Sequence, residues 1–302
     1  MAKTKTPFFS IGAQGSVGES ITVQKRGATH LLRVKPLPAD PYTLPQAYQR
    51  WLYQDYAYVW TQQSLSVKQF YATQGTRFHL TGFQYWMKSH LKDLQNIAAM
   101  WQLDDLGNIA HDHGPNANHG TIIGCTPTHL AIDGALSFDG INDEINFGAP
   151  PSLDITHSIT MEAFIRLDAL PSTRVRDFRI CGKHNEAVDM YIQKGGNTLR
   201  GVFPGLTDNY TSGVGTPLIV GKLYHVAITY NQAYIRTYLD GQLDLQDIST
   251  GVLSTSALPF YIGRRANVAT EWFEGTIDQC CIYTRALDAT ELKRHSERRY
   301  PA

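Results

Sequence analysis

The chain has 302 residues, of which 27 are basic and 27 acidic, so its formal net charge is zero. A neutral chain has no general attraction to nucleic acid or to an anionic membrane, which excludes both as main partners. Hydrophobic residues make up 42% and aromatic residues 11%, enough for packed cores and too much for a disordered tail.

The N-terminal residues are predicted to form a small β unit punctuated by glycines, with strands at 8–11, 20–24 and 30–34. Three prolines between residues 36 and 41 then end the extended pairing, because proline removes a ladder donor. The first twelve residues are too polar for a secretory signal, and no window has the long apolar run of a membrane span. We therefore expect the protein to be made in a cytoplasm.

Three helices are predicted between residues 43 and 94. The first has Thr43 as its N-cap, and its apolar face is formed by Leu44, Tyr48, Trp51, Leu52, Tyr56 and Val59. The second is expected to begin at Ser66, with Gln69 in the capping-box position. The third is expected to begin at Thr81, with Gln84 three residues later, and to place Phe83 and Met87 on its apolar face.

Three aromatic residues, Tyr53, Tyr58 and Trp60, fall outside the apolar face of the first helix. Aromatic side chains beyond a core stripe are enriched where another chain covers them, because ring burial is large and costs few rotatable bonds. They predict a docking surface in a homo-oligomer, either a trimer or a dimer. The alternative is that these rings pack against the β unit of their own chain.

The order of these N-terminal elements resembles a family of small phage and prophage structural proteins. The segments that carry the resemblance are residues 8–27, 38–46, 65–71 and 81–86. The resemblance implies that residues 1–95 form an α+β module that attaches to a virion, with capsid or other virion proteins as partners. The alternative is an α+β domain of any other purpose.

From Ile97 onward the pattern is almost entirely β. Residues 135–138 and 145–147 are predicted to pair as a hairpin around the turn-rich residues 139–143. Residues 159–165 alternate between apolar and other side chains, as a half-buried strand requires. After the last strand, residues 288–295 are predicted to form a short helix at the sheet edge.

This part of the chain resembles the laminin-G-like jelly roll, which is also called concanavalin A-like or pentraxin-like. The segments that carry the resemblance are residues 101–104, 111–121, 134–167, 223–243 and 273–287, in that order. The fold implied is mainly β, a two-sheet sandwich over residues 96–302 that follows the α+β module at 1–95.

Sandwiches of this kind also include glycoside hydrolases, whose chemistry requires catalytic carboxylates. Retaining glycosidases need two carboxyls that flank one bond, and the Glu-x-Asp-x-x-Glu pattern that would supply them on one strand is absent. The nearest cluster, Asp139, Asp143 and Glu144, lies in or beside a turn and is interpreted as loop-capping. We therefore expect a protein that is not an enzyme.

The four cysteines, Cys125, Cys181, Cys280 and Cys281, do not suggest a disulfide framework and are interpreted as buried or half-buried thiols. Adjacent Cys280 and Cys281 must point to opposite faces of a strand, so at most one of them faces the core. Among eleven histidines, none shows the spacing of a catalytic zinc site.

The family resemblance implies a structural calcium ion. The positions it suggests are Asp112, Asn116 and Asn118 in the early loop and Asp278 in the closing strand, since calcium takes carboxylate and carbonyl oxygens. The alternative is that Asp112 and Asn116 only form Asx turns.

A polysaccharide is a further expected partner. Sugar rings stack on exposed aromatic faces, and Tyr210, Tyr234 and Trp272 lie in or near polar, turn-rich stretches. The alternative for each of them is packing in the core.

Together these features predict a non-enzymatic virion protein, such as a capsid decoration, that displays its sandwich outward. The competing hypothesis is a carbohydrate-binding module or an accessory domain of a carbohydrate-active enzyme.

Overall fold

The computed structural model describes residues 3–4, 15–17, 21–26, 29–34, 57, 60–61, 63–90, 96–130, 134–184, 187–267 and 270–297. The chain divides into two compact units, Met1–Thr43 and Leu44–Ala302. Tyr53 and Tyr58, and most of the helix predicted after Thr43, lie outside the described residues.

The first unit contains a four-stranded antiparallel sheet in the order β1-β4-β3-β2. Its strands are β1 (Lys3–Thr4), β2 (Gly15–Val17), β3 (Ile21–Arg26) and β4 (Thr29–Val34). The predictions at 20–24 and 30–34 are confirmed by β3 and β4, whereas the strand predicted at 8–11 lies outside the described residues.

Two helices begin the described part of the second unit, α1 (Leu65–Thr76) and α2 (Gly82–His90). The predicted cap of α1 is wrong by two residues, because extended Ser64, and not Ser66, accepts a hydrogen bond from the Val67 N–H through its Oγ at 3.4 Å. The predicted capping box of α2 is confirmed. The Thr81 N–H donates to Gln84 Oε1 at 2.9 Å, and the Gln84 N–H donates to Thr81 Oγ1 at 3.2 Å.

The rest of the unit is a two-sheet antiparallel sandwich, as the alternation predicted. One sheet has seven strands in the order β14-β13-β12-β18-β10-β7-β6, and the other has eight in the order β17-β16-β15-β11-β19-β9-β8, with β5 also paired to β19. The strands are β5 (Ile97–Trp101), β6 (Ile109–Ala110), β7 (Gly120–Ile123), β8 (Thr126–His129), β9 (Gly134–Asp139), β10 (Glu144–Asn146), β11 (Ile159–Leu167), β12 (Phe178–Gly182), β13 (Asp189–Gln193), β14 (Thr198–Val202), β15 (Leu223–Tyr230), β16 (Tyr234–Leu239), β17 (Gln242–Ile248), β18 (Tyr261–Ile262) and β19 (Glu274–Tyr283).

Three short helical segments accompany the strands: a 3-10 turn at Pro151–Leu153, α3 (Pro171–Arg174) and α4 (Ala289–Ser296). Helix α4 has the complete capping box of Asp288 and Glu291. The predicted helix is therefore confirmed, and it contacts the edge strand β17 as well as β15. It lies across the outer face of the eight-stranded sheet, where His295 reaches Glu162 of β11.

The main core fills the space between the two sheets. Its largest side chains are fully buried and come from both sheets and the connections between them, among them Trp101, Phe138, Phe178, Phe203 and Phe273. On β11 the alternation is as predicted: Met161, Ala163 and Ile165 face this core, while Glu162 and Phe164 face the other way. The burial of alternate residues from two facing sheets is what holds the sandwich together.

The hairpin predicted over residues 135–147 is wrong. Strand β9 pairs with β8 and β19, whereas β10 pairs with β7 and β18, so the turn between them carries the chain from one sheet to the other. Asp139 Oδ1 accepts from the Ile141 N–H at 2.7 Å, and Asp143 Oδ2 accepts from the Asp139 N–H at 2.8 Å. These bonds confirm that the two aspartates cap the turn.

A second cluster of buried residues lies on the outer side of the eight-stranded sheet. It joins Trp86 and Met87 of α2 to Leu292 of α4 and to Met100 and Tyr283 of the sheet. Helix α2 thus packs on the sandwich. That the chain after residue 95 folds independently of the residues before it stays a prediction. In the described part of the chain, no helix is both long and apolar enough to cross a membrane.

Candidate binding face of the seven-stranded sheet

One row of residues in register crosses six strands of the seven-stranded sheet. Consecutive strand partners link Thr121, Asn146, Tyr261, Gly182, Asp189 and Val202, and an isolated bridge extends the row to Tyr210. Partners directly opposite each other project from the same side of a sheet. Their neighbours Ile145, Ile262 and Met190 face the core, so the row points outward.

We call the outward side of this sheet the polar face. A second, shorter row in it joins Arg179, Tyr191 and Arg200 on strands β12, β13 and β14. Gln193 and Glu144 belong to the same side, because strand alternation places them there with Tyr191 and Asn146. The polar face is therefore made of carboxylates, guanidinium groups, amides and tyrosines.

Arg179 is the centre of the polar face. It is 4% exposed, and its guanidinium donates to Asp189 Oδ2 at 2.6 Å and to Glu271 Oε2 at 2.7 Å. Burial alone lowers the pKa of Arg179, but Asp189 and Glu271 outweigh burial and hold the pKa above its usual value. The arginine is thus a fixed cation between two carboxylates.

The ring of Tyr191 lies under this cation, with the Arg179 Cζ 4.3 Å from the ring centroid. Burial raises the pKa of Tyr191 to about 12, although Arg179 acts in the opposite direction. The phenol therefore stays protonated at physiological pH and can donate a hydrogen bond.

A second arginine, Arg264, organises the other half of the polar face. Its Nη1 lies 2.5 Å from Glu144 Oε2, and its Cζ lies 4.5 Å from the ring centroid of Tyr261 and 5.1 Å from that of Trp272. Asn146 Nδ2 donates to the Tyr261 hydroxyl at 3.3 Å. Each half of the polar face thus has one arginine that holds a carboxylate and covers an aromatic ring.

His184 adds a buried imidazole next to this network. It is 2% exposed, and its Nδ1 lies 3.8 Å from Asp189 Oδ2. Among the described residues, neither ring nitrogen has a hydrogen-bond partner. The neighbouring residues 185–186 lie outside the described part of the chain.

The side chains at the two ends of the polar face are the more accessible ones. Thr121 is exposed, while Asn146, Gln193 and Arg200 are half-buried. Arg200 donates to Gln193 Oε1 at 3.2 Å and to the carbonyl oxygens of Thr211 and Gly213 at 2.9 and 2.8 Å. The arrangement is a rigid centre with amide, hydroxyl and guanidinium donors at its rims.

The residues expected to bind a sugar do not form one platform. Trp272 is only 8% exposed and packs beside Arg264, so it is not an exposed ring. Tyr234 belongs to β16 of the other sheet, with Arg236 4.6 Å from its ring centroid. Tyr210 is 45% exposed and ends the row of the polar face, so it alone fits the expected position.

The residues expected to bind calcium do not converge in the structure. Asp112 is buried, with Oδ1 accepting from the N–H groups of Met100 and Gly114 and Oδ2 from that of Asn118. Asn116 and Asn118 both donate from Nδ2 to the carbonyl oxygen of Ala98. Their polar atoms therefore already serve the loop itself.

Asp278 lies elsewhere. Asp112 forms an isolated bridge with Trp101, which pairs with Cys280 on one edge of β19, whereas Asp278 pairs with Phe164 of β11 on the other edge. Within the described residues, no group of three or more His, Cys, Asp or Glu side chains is placed to hold a metal ion. The four predicted ligands therefore do not fit a single calcium ion.

Of the three residues predicted to dock another chain, only Trp60 is described. It is half-buried, and its ring centroid lies 6.3 Å from that of Tyr71, 6.0 Å from Phe83 and 5.6 Å from Trp86. Trp60 thus packs against helices α1 and α2 of its own chain, whereas the alternative named the β unit. The oligomer itself stays a prediction.

Sequence reasoning missed the residues that build the polar face, although a signal was present. Asp189, Tyr191 and Gln193 alternate with the apolar Met190 and Ile192. That alternation shows which side chains share a surface. What it could not show is that β12 and β18 lie side by side, because 81 residues separate Ile262 from its strand partner Cys181 along the chain.

A second polar cluster was also missed, and it lies on the other sheet under α4. Glu162 of β11 is 3% exposed and accepts from the Tyr283 hydroxyl through Oε1 at 3.0 Å. His225 Nε2 lies 3.2 Å from Oε2, and His295 Nδ1 lies 2.9 Å from Oε1. With helix α4 above it, this cluster fixes the helix to the sheet and leaves no opening for a ligand.

Comparison with known proteins agrees with the two-sheet architecture. The model of the laminin G-like family, described as the concanavalin A-like lectin/glucanases superfamily, matches residues 139–293, just over half of the chain. No curated protein sequence matches the chain.

Solved structures of low sequence identity also match the chain. Domain 4 of the extracellular arabinanase AbnA from Geobacillus stearothermophilus, in complex with arabinotriose, is 16% identical with a TM-score of 0.54; the match covers 67% of this chain and 98% of that one. The binding domain of Paraclostridial Mosquitocidal Protein 1 is 15% identical with a TM-score of 0.52, covering 67% and 52%. Trypanosoma rangeli sialidase is 18% identical with a TM-score of 0.49, covering 66% of this chain and only 32% of the sialidase.

Proposed function

Because the chain belongs to the concanavalin A-like lectin/glucanases superfamily, we propose that its sandwich is a carbohydrate-binding module without catalytic activity. The observation that carries this proposal is the row of outward residues from Thr121 to Tyr210. Sugar hydroxyls need several donors and acceptors fixed at defined positions. A row of side chains on paired strands supplies them, and because the sheet is rigid, little conformational entropy is lost on binding.

The rims of the polar face are the proposed contact points. Asn146 is held by the Tyr261 hydroxyl, and Gln193 is held by Arg200. Both amides are half-buried, so they are oriented by the protein and still reachable by a ligand. An oriented amide offers both donor and acceptor groups, which suits the paired hydroxyls of a sugar ring.

The pairing of the carboxylates supports binding over catalysis. Asp189 and Glu271 are both bound by Arg179, and Glu144 is bound by Arg264. A retaining or inverting glycosidase needs one carboxyl that is protonated and donates its proton to the leaving group. The carboxylates of the polar face are instead occupied as acceptors by arginine donors.

The test is a binding titration of the full chain with neutral oligosaccharides, starting with arabinotriose, the ligand of the arabinanase domain. Gln193→Ala and Asn146→Ala should each weaken binding by roughly tenfold, as expected for one lost hydrogen bond. Gln246→Ala is the matched control, because Gln246 lies on β17 of the other sheet. If none of the sugars binds, or if Gln246→Ala weakens binding equally, the proposed face is wrong.

We also propose a setting for this binding, the exterior of a virion. The support is the ordered set of N-terminal segments from residues 8–27 to 81–86 that resembles phage and prophage structural proteins. On this hypothesis residues 1–95 attach to the capsid or another virion protein, as a homo-oligomer, and the sandwich is displayed outward. The protein should then remain with purified particles through a density gradient, and its recovery only in the free fraction would contradict the hypothesis.

A further inference from the structure

The polar face has an open corner, where β6, β7 and β10 lie side by side. Register places Ile109 opposite Thr121, and Thr121 opposite Asn146. The intervening residues Ala110 and Ile122 face the main core, so these three side chains point outward. Strand β6 is the last strand of the seven-stranded sheet in the described chain.

Two isoleucines flank Thr121 at this corner. Ile109 is 44% exposed, and Ile123, which pairs with Glu144 of β10, is 45% exposed. Ile123 lies two residues from Thr121 and therefore on the same side of the sheet. A single exposed isoleucine is ordinary at a protein surface. Two of them on either side of a hydroxyl make an amphipathic surface, which can contact a ligand with both polar and apolar groups.

Two histidines border the same corner, one just after β6 and the other just before β7. The Asp112 N–H donates to His119 Nδ1 at 3.0 Å, so a neutral His119 carries its proton on Nε2. His111 Nδ1 lies 2.6 Å from Asp105 Oδ1, and the ring centroids of the two histidines are 5.4 Å apart. Because His119 is exposed, its Nε2–H is an oriented donor at the protein surface.

We propose that this corner is a subsite for a sugar ring that bears a methyl group, either as a 6-deoxy sugar or as an O-acetyl ester. Thr121, Asn146 and His119 bind the ring hydroxyls. Ile109 and Ile123 contact the methyl group. We call these five residues the corner subsite. This inference rests on the proposed binding of carbohydrate by the polar face and adds the class of sugar that is preferred.

The size of the corner favours one sugar ring over a protein partner. Ile109 and Asn146 are two strands apart, roughly 10 Å, and Ile123 lies roughly 7 Å along β7 from Thr121. A stable protein interface uses about 20–30 residues on each side. The apolar part of the corner consists of two side chains with a polar one between them, which suits a ring with one apolar substituent.

The experiment titrates the full chain with pairs of sugars that differ in the methyl group, followed by NMR because weak binding must be detected. L-Rhamnose and L-mannose differ only at the 6-position. An O-acetylated xylo-oligosaccharide is compared with the same oligosaccharide after alkaline deacetylation. The methyl-bearing member of a pair should bind roughly fourfold more tightly, as expected for one buried methyl group. The pair that shows the preference identifies the source of the methyl group.

The variant Ile109→Ser/Ile123→Ser should abolish this preference and leave the binding of the member without the methyl group unchanged. Asn146→Ala should instead weaken the binding of both members of the pair by the same factor, because it removes a contact to the ring. Ile248→Ser is the matched control. Ile248 is 76% exposed and lies on β17 of the other sheet, so the preference should persist in this variant.

Equal binding of the two members in both pairs would overturn the subsite, while binding of either member would still support a carbohydrate-binding module. Binding of none of the four sugars would count against both proposals. An unchanged preference in Ile109→Ser/Ile123→Ser would place the methyl group elsewhere and also overturn the subsite. If that variant changes the molar mass measured by light scattering, a second copy of the chain covers the corner, and the proposal is wrong.

Discussion

His295 Nδ1 lies 2.9 Å from Glu162 Oε1, although 133 residues separate the two in the chain. The contact joins the last described helix, α4, to the middle of the eight-stranded sheet, and it is buried on both sides, with the two side chains 1% and 4% exposed. His225 Nε2 completes the arrangement, 3.2 Å from the other carboxylate oxygen. One carboxylate thus ties two histidines from two further elements to β11.

Glu162→Gln should destabilise the protein by about 3 kcal/mol, because the buried carboxylate contacts Tyr283, His225 and His295 and an amide cannot replace all of these interactions. Thermal or denaturant unfolding measures the change. The control is Glu297→Gln, which removes an exposed partner of Lys293 and should change the free energy of unfolding by less than about 0.5 kcal/mol. Equal effects of the two substitutions would show that the buried cluster contributes no special stability.

The same carboxylate predicts a dependence of stability on pH. Burial alone raises the pKa of Glu162, but His295 and His225 outweigh burial and hold the pKa well below its usual value. A carboxyl with a depressed pKa stabilises the fold fully above its unfolded-state pKa of about 4.3 and loses this contribution as the pH falls toward the folded-state pKa. The difference in stability between wild type and Glu162→Gln should therefore shrink as the pH falls below about 4. A stability difference between the two proteins that grows as the pH falls would contradict this expectation.

Arg179→Met should leave Asp189 as a buried carboxylate without its cation and should cost about 3 kcal/mol of stability. Arg265→Met is the matched control. Arg265 also pairs with Glu271, at 3.3 Å, but it is 26% exposed, so its loss should cost at most about 1 kcal/mol. Denaturant titrations of the two variants under the same conditions make the comparison.

Gly182 is the one position in the row from Thr121 to Tyr210 that cannot carry a side chain. Its φ is 145°, and a Cβ there would lie 2.4 Å from Asp189 Oδ1 and 2.5 Å from Asp189 Cα. Gly148 also has a positive φ, 65°, but a Cβ there meets nothing within 4 Å. Gly182→Ala should therefore cost clearly more stability than Gly148→Ala, for which backbone strain of about 1 kcal/mol is expected. Equal melting temperatures of the two variants would refute the argument.

Local patterns were enough to predict the strands. The alternation at Ile159, Met161, Ala163 and Ile165 identified β11 and its core face, and the Thr81–Gln84 box identified the start of α2. Both signals depend on residues close together in the chain, whose spacing alone fixes the geometry. The predicted cap at Ser66 was wrong because Ser64 and Ser66 lie only two residues apart. The sequence does not show which of the two serines has the extended backbone that an N-cap needs.

Pairing between distant segments could not be predicted in this way. The turn at 139–143 has the composition of a hairpin, but β9 finds its partners in β8 and β19, and β10 in β7 and β18. Likewise, Glu162 alternates with core residues along β11, as a solvent-exposed side chain would. It is buried because His225 and His295, which are distant in the sequence, contact it. The polar face depends on the same long-range order of strands.

The place of β19 in the eight-stranded sheet has a consequence for protein synthesis. This strand pairs with β11, β9 and β5, yet it is the last strand of the described chain. A nascent chain that lacks residues 274–283 would expose the unpaired edges of three strands at once, and such edges template aggregation. The sandwich should therefore fold only after nearly all of it has left the ribosome, so chaperones that shield the earlier strands should raise its yield.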